Sequence, residues 1–386
     1  MKSRGVPDFL LLILAFLLVG FGITMVISSS YIYASTGIYT FKGCPTELCG
    51  GDGLYFAKKQ IMWAIMGLVG MLFAMNVPFA FYKKRFFAIG FTSILILLMV
   101  LIPGIGNEAN GARSWIKIGP MSLQTSEFAK LGLILYLSAI VARKGDQFRD
   151  FKKGLIPPLV ITALFFILVA LQPDLGTAAI MLGTAGVILV AGGARLSHLF
   201  ILTVPPFGLI VTTYILTKDH ALSRVLSYTD PWNDMLGSDY HLVQSFFAIA
   251  RGGMFGSGFG QSLQKYLYLP EAHTDFIFSV IAEELGFLGT CLFLLIYIAF
   301  LLRGIFICLK SQDTFASLAG VGIVAMIGIQ AMINIGGVTG TIPITGVPLP
   351  FVSYGGSSLL VCMIGTGILL SASREVNKQK TVGNNA

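Results

Sequence analysis

The stretch Lys265-Tyr-Leu-Tyr-Leu-Pro-Glu-Ala-His-Thr-Asp275-Phe-Ile-Phe-Ser-Val-Ile-Ala-Glu283-Glu284-Leu-Gly286 decides how the chain is read. It opens as a polar loop carrying Glu271, His273 and Asp275, then becomes an apolar run reaching Leu302 with Glu283 and Glu284 inside it. Ionisable groups at membrane depth are costly, so they mark functional positions by default. The pattern puts a proton-accepting carboxylate at a water–membrane boundary with two more carboxylates below it. At about 100° per residue, Glu283 falls roughly 80° around a helix from Asp275 and Glu284 roughly opposite. Only one of the pair shares the Asp275 face; the other needs a partner elsewhere or a proton.

Composition extends this to the whole chain. Of 386 residues, 55% are hydrophobic and 11% charged, with mean hydropathy +0.82. A soluble globular protein carries about 25% charged residues. Apolar runs near the ~20 residues that cross a bilayer recur at 9–29, 60–82, 86–103, 126–142, 155–171, 177–194, 199–217, 275–302, 316–337 and 353–373. The expected architecture is an all-α polytopic membrane protein: one integral domain over 1–386, about ten transmembrane helices, and a large extracytoplasmic loop, 218–274, between spans seven and eight. The N-terminal run lacks a small-residue cleavage site and reads as a retained first span rather than a signal peptide.

Basic residues set the orientation. With the N-terminus cytoplasmic, 16 of the 26 Lys and Arg fall in inside segments, although the outside loops are much longer. This matches the positive-inside rule and puts both termini in the cytoplasm. The net charge of +8 reflects that topology; no basic–aromatic segment points to nucleic acid. Cys291, Cys308 and Cys362 lie in or beside spans and read as apolar filler. Cys44 and Cys49, in the first outside loop, are either a disulfide in an oxidising exterior or two free thiols.

Several outside segments carry chemistry. Arg113 and Lys117 flank Trp115, and Thr125-Ser126-Glu127-Phe-Ala-Lys130 opens span four. Trp115 is either an interface aromatic or a border of a ligand site. Glu127 suits a first helical turn and can pair with Lys130 at i,i+3; alternatively Arg113 and Lys130 face an anionic headgroup. In Gln172-Pro-Asp174-Leu-Gly-Thr177, Asp174 either caps the next helix or acts on a ligand. Pro205-Pro206 should break or kink span seven. Tyr240–Arg251 reads as an interfacial or re-entrant amphipathic helix, and the glycines of 252–260 as a compact turn. Three prolines with glycines in 338–358 predict a non-helical segment packed against protein or lining a polar cavity. The residues alone fit either a lipid transporter or an enzyme acting on a lipid-linked substrate.

The motifs Asn110-Gly-Ala-Arg-Ser-Trp115-Ile, Gln124-Thr-Ser-Glu127-Phe-Ala-Lys130, Gln172-Pro-Asp174-Leu-Gly-Thr, Leu269-Pro-Glu-Ala-His-Thr-Asp275-Phe-Ile-Phe, Ala282-Glu-Glu-Leu-Gly286 and Pro348-Leu-Pro-Phe-Val-Ser-Tyr354-Gly-Gly-Ser-Ser come in order from the first span to Arg374. In these the chain resembles the SEDS proteins of bacterial wall synthesis, the family of FtsW, RodA and SpoVE. Thr229-Asp-Pro-Trp232-Asn-Asp and Gln261–His273 look like the division branch, FtsW, while Ile344–Pro350 looks as much like RodA. The resemblance implies a peptidoglycan glycosyltransferase that polymerises lipid II on the outer face of the cytoplasmic membrane, at the division septum, and releases undecaprenyl pyrophosphate. By motif Asp275 is the essential carboxylate, either a general base or the ligand of a divalent cation such as Mg or Mn. Arg113, Lys130, Arg224 and Arg251 are the cations available to the pyrophosphate. Glu127 would orient Lys130, and Trp115, Asp174, His273, Thr274 and Glu283 would line the substrate site, although Glu283 or Glu284 can instead serve helix packing. The implied partners are a class B penicillin-binding protein and other divisome proteins. A lipid II flippase is the competing function.

Overall fold

The computed structural model describes residues 5–36, 51–109, 112–119, 121–217, 219–237 and 239–383. Three apolar helices come first, α1 (Phe9–Thr36), α2 (Tyr55–Asn76) and α3 (Phe79–Leu101), followed by a small antiparallel sheet of β1 (Gly106–Ala109), β2 (Ala112–Ile118) and β3 (Met121–Gln124). The chain continues through α4 (Thr125–Lys144), α5 (Ile156–Ala170), α6 (Leu175–Ala191), α7 (Leu196–Thr217), α8 (Asp219–Thr229) and α9 (Tyr240–Gly252). Three long helices close it: α10 (Ile277–Leu309), α11 (Thr314–Val338) and α12 (Gly356–Gly383). Among the described residues, 8 helical segments are long and apolar enough to cross a membrane, and α6 is a shorter apolar helix. The protein is a polytopic, mostly helical membrane protein.

Helices apolar on every side bury one face and leave the other to lipid. In α12, 89% of the apolar window is buried, in α4 72%, and in α3 only 22%. The centre is therefore α4, α11 and α12, while Phe9, Ile13 and Leu17 of α1 and Phe73 of α2 stay exposed. Small residues let the central helices approach closely, as is usual inside membranes. A Cβ on Gly367 of α12 would come within 2.4 Å of the Met71 carbonyl of α2.

Several expectations change. The 107–120 loop contains strands, so the fold is not purely helical: Trp115 pairs with Asn107 on one side and Gln124 on the other. The long segment 218–274 contains α8 as well as the anticipated α9. Helix α7 runs through Pro205-Pro206 unbroken; proline is tolerated in membrane helices because neighbouring groups satisfy the freed backbone. Helix α10 begins at Ile277, so Asp275 lies in the turn before it and the helical phase does not relate it to Glu283 and Glu284. The first outside loop with Cys44 and Cys49 lies outside the described residues, as do Asn110 and Gly111.

Helix α10 is itself two pieces. Gly286 has φ 66° and ψ −170°, a left-handed conformation that favours glycine. The 253–258 turn is laced into the break. The Phe287 and Leu288 amides donate to the Gly253 and Met254 carbonyls at 2.8 and 3.1 Å. In return the Ser257 and Gly258 amides donate to the Glu283 and Glu284 carbonyls at 2.9 and 3.1 Å.

Ion pairs tie one end of the bundle together. Asp8 meets Arg303 at 2.6 Å and Lys83 meets Asp313 at 3.1 Å. The Asp8 amide donates to Ser373 Oγ at 3.0 Å, and Arg374 reaches Asn76 at 2.8 Å. The polar residues of the candidate site gather at the opposite end.

Candidate functional site

Lys130 and Glu127 form a buried pair at the start of α4. Lys130 Nζ donates to Glu127 Oε1 at 2.8 Å, with both side chains at most 2% exposed. An ammonium away from water needs several partners, and Lys130 has a second, Gln330 Oε1 of α11, at 2.6 Å. Gln330 Nε2 in turn donates to the Pro348 carbonyl and to Ser358 Oγ, both at 3.0 Å.

One turn further along α11, Asn334 Nδ2 donates to the Asp275 carbonyl at 2.7 Å and to the Val347 carbonyl at 2.8 Å. Asp275 itself is half-buried. Its Oδ2 stands 3.6 Å from the position a Cβ would take on Gly346, whose φ is +75°. The segment 339–355 is non-helical, as the prolines of 338–358 predict, and its Val347 and Pro348 carbonyls are bound from Asn334 and Gln330. The Tyr354 amide fastens it to the His273 carbonyl at 2.9 Å, and Gln60 Nε2 to the Ser353 carbonyl at 3.2 Å.

Each of the two glutamates of α10 meets one cation, although Glu284 Oε2 has no hydrogen-bond partner among the described residues. Glu283 Oε1 accepts from Arg251 at 3.2 Å and from the Leu263 amide at 2.8 Å, and Ser262 Oγ donates to Oε2. Glu284 Oε1 accepts from Ser28 Oγ of α1 at 2.6 Å and from Lys265 Nζ at 3.3 Å. Both hold the 253–265 turn against the upper half of α10, the packing alternative raised by the sequence.

Asp174 caps α6: Oδ1 accepts from the Thr177 amide at 3.0 Å. Its other oxygen accepts from Gln124 Nε2 and Ser126 Oγ, both at 3.2 Å, so it also binds the start of α4. Trp115 and Arg113 lie half-buried on β2, and Arg113 makes no ion pair among the described residues. Arg224 falls on α8, with its side chain outside the described set.

Glu271, His273 and Thr274 shape the turn before Asp275. Thr274 Oγ1 donates to Glu271 Oε2 at 2.7 Å, and Glu271 takes a left-handed φ of 54°. The buried His273 ring lies 4.4 Å from Phe56 and 5.2 Å from Tyr33, centroid to centroid. A cavity of about 160 Å³ separates this turn from Ser29 and Tyr33 of α1, with Lys265 on its wall. Among the described residues no group of three or more His, Cys, Asp or Glu converges to hold a metal ion.

The structure therefore brings Glu127, Lys130 and Asp275 to the two ends of one hydrogen-bonded array, and pairs Arg251 with Glu283 to one side. Gln330 and Asn334, which close the array, were missed in the sequence. Two amides at i,i+4 inside an apolar span were the available signal, since such a pair shares one helix face.

Comparison with known proteins finds relatives over nearly the whole chain. A family model described as a cell cycle protein family, that of FtsW, RodA and SpoVE, matches residues 8–378. Stage V sporulation protein E of Bacillus subtilis is 42% identical over 95% of this chain and 97% of its own length. The FtsW protein of the same organism, named as a peptidoglycan glycosyltransferase, is 40% identical over 97% and 93%. Among solved structures, one described as showing how a peptidoglycan synthase complex coordinates polymerization and crosslinking matches with a TM-score of 0.75 and 28% identity, covering 96% of this chain and 98% of that one. The rod shape determining protein RodA of Thermus thermophilus matches with a TM-score of 0.68 and 26% identity, over 96% and 97%.

Proposed function

Because the chain belongs to the FtsW, RodA and SpoVE family of cell cycle proteins, we propose that it is a peptidoglycan glycosyltransferase polymerising lipid II at the outer face of the bacterial cytoplasmic membrane. The acceptor sugar's 4-hydroxyl attacks the anomeric carbon of the donor as the bond to pyrophosphate breaks. The configuration inverts, and undecaprenyl pyrophosphate leaves with the electron pair. Asp275, half-buried at the polar end of the bundle, takes the hydroxyl proton as general base. The observation that carries this reading is the buried Lys130 held by Glu127 and Gln330. An ammonium has three hydrogens; two go to those oxygens, and the third is available to the charge that builds on the leaving pyrophosphate. Arg113 adds a second cation near the sheet.

A divalent cation at Asp275 would take one carboxylate from the protein and its other ligands from pyrophosphate and water, the usual pattern for Mg²⁺. The cation would supply charge neutralisation to the leaving group. Both termini are cytoplasmic in this reading, supported by the gathering of Asp8, Lys83, Arg303, Asp313 and Arg374 at the end away from Asp275. A class B penicillin-binding protein is the partner, in keeping with the coupled polymerization and crosslinking of the structural relative. Use in septal wall synthesis rests on the Thr229–Asp234 and Gln261–His273 motifs, since identity to the sporulation protein, 42%, and to FtsW, 40%, is nearly level.

The test is reconstitution into vesicles with the penicillin-binding partner and fluorescent lipid II. The enzyme reading expects glycan polymer on a gel. Lipid II crossing the bilayer with no polymer would favour the flippase instead.

A further inference from the structure

We infer that Gln330 and Asn334 of α11 are positioning residues, a two-amide strut that sets where Asp275 stands relative to Lys130 during glycosyl transfer. The inference rests on the function proposed above and assigns the strut a part in it. Both side chains are buried, at 0% and 4% exposure, inside an otherwise apolar helix. Burying an amide is unfavourable unless it is hydrogen-bonded; all four amide hydrogens find acceptors, while Asn334 Oδ1 has no partner among the described residues.

The bonds go to the two candidate reacting groups and the segment between them. Gln330 holds the Lys130 ammonium through its oxygen, and the Pro348 carbonyl and Ser358 hydroxyl through its nitrogen. Asn334 divides its two hydrogens between the Asp275 and Val347 carbonyls. Residues 347 and 348 are adjacent, so the arms meet on neighbouring peptide units. Asp275 lies in the turn before α10, and its carbonyl is held from α11. The two amides sit four residues apart, about 6 Å along the axis, and this spacing is transmitted to the ammonium at one end and the carboxylate-bearing residue at the other. Two apolar side chains would remove the bond that ties the Asp275 carbonyl to α11, leaving the turn held only through its own bonds and the His273–Tyr354 contact, and displacement of about 1 Å at a reacting group can slow turnover about 100-fold.

The experiment measures kcat and KM for lipid II polymerisation by the complete complex, with Tm in detergent recorded for every variant. Wild type and Asp275→Asn run beside Asn334→Leu, Gln330→Met and the double variant. Asn334→Leu is expected to lower kcat about 10- to 100-fold while KM moves less than about threefold, because position is lost and binding is not. The double variant should fall no further than the worse single one, since a strut is broken only once. If Asn334→Leu does not accumulate folded, Asn334→Asp, of the same shape with at most one donor, takes its place with the same expectation. Wild-type polymer with undiminished kcat in the Asn334 variant overturns the strut alone, as does a double variant whose losses multiply. A wild type that makes no polymer overturns the functional reading, and the strut with it.

Discussion

Burial pushes the His273 imidazole down to about 4, with Glu271 pulling it part of the way back. Two residues before Asp275, the ring is thus neutral at physiological pH and packs among Phe56, Tyr33 and Tyr354 as an aromatic. The consequence for stability has a definite sign. Between the unfolded value of 6.5 and about 4, the unfolded chain binds a proton that the native chain does not, so stability falls as pH falls through that window. Above it this contribution is fully present. His273→Phe should flatten the dependence of Tm on pH between about 4 and 6.5, measured by thermal unfolding in detergent. An unchanged slope would show that His273 is not the group responsible. The sequence could place His273 beside Asp275 but not bury it, because the cage comes from α1, α2 and the 339–355 segment, far away in the chain. Lys130 and Glu127 were more legible: at i,i+3 in a first helical turn their pairing follows from helix geometry alone.

The break in α10 and the turn laced into it form the most constrained element. At Gly286 a Cβ would come within 2.1 Å of the Gly256 nitrogen, and φ is +66°. With ψ at −170° this backbone region is essentially confined to glycine and costs another residue about 1–3 kcal/mol before any collision. Gly286→Ala should therefore lower Tm by several degrees or prevent accumulation of folded protein, whereas Gly186→Ala, where a Cβ meets nothing within 4 Å, should be neutral or slightly stabilising. Equal behaviour of the two variants in thermal unfolding would contradict the lacing. The apolar runs, the amphipathic α9 and the non-helical 339–355 segment were readable from periodicity and proline content. The Gly286 break was not, since a continuous apolar run hides a local reversal. The strands also escaped notice: Arg113–Ile118 is too short to establish alternation, and its pairing depends on partners that are strands only in its presence.

At the scale of the whole molecule, a lipid-facing shell surrounds α4, α11 and α12, and the polar chemistry is confined to one end. The membrane class was legible because repeated apolar runs near the length of a bilayer leave few alternatives. Which buried polar groups touch was not, because Gln330, Lys130, Pro348 and Asp275 come together only when α4, α11 and the turn before α10 pack. In the function proposed above this convergence is the reaction centre, with Asp275 as its base. The measurement that bears on it most directly compares wild type and Asp275→Asn, each purified with its penicillin-binding partner, for lipid II binding and polymer formation. The variant is expected to fold and to bind lipid II within a few-fold of wild type while its polymer falls at least about 100-fold, the scale of a lost general base. Equal polymer from both proteins would contradict it and remove Asp275 from the chemistry.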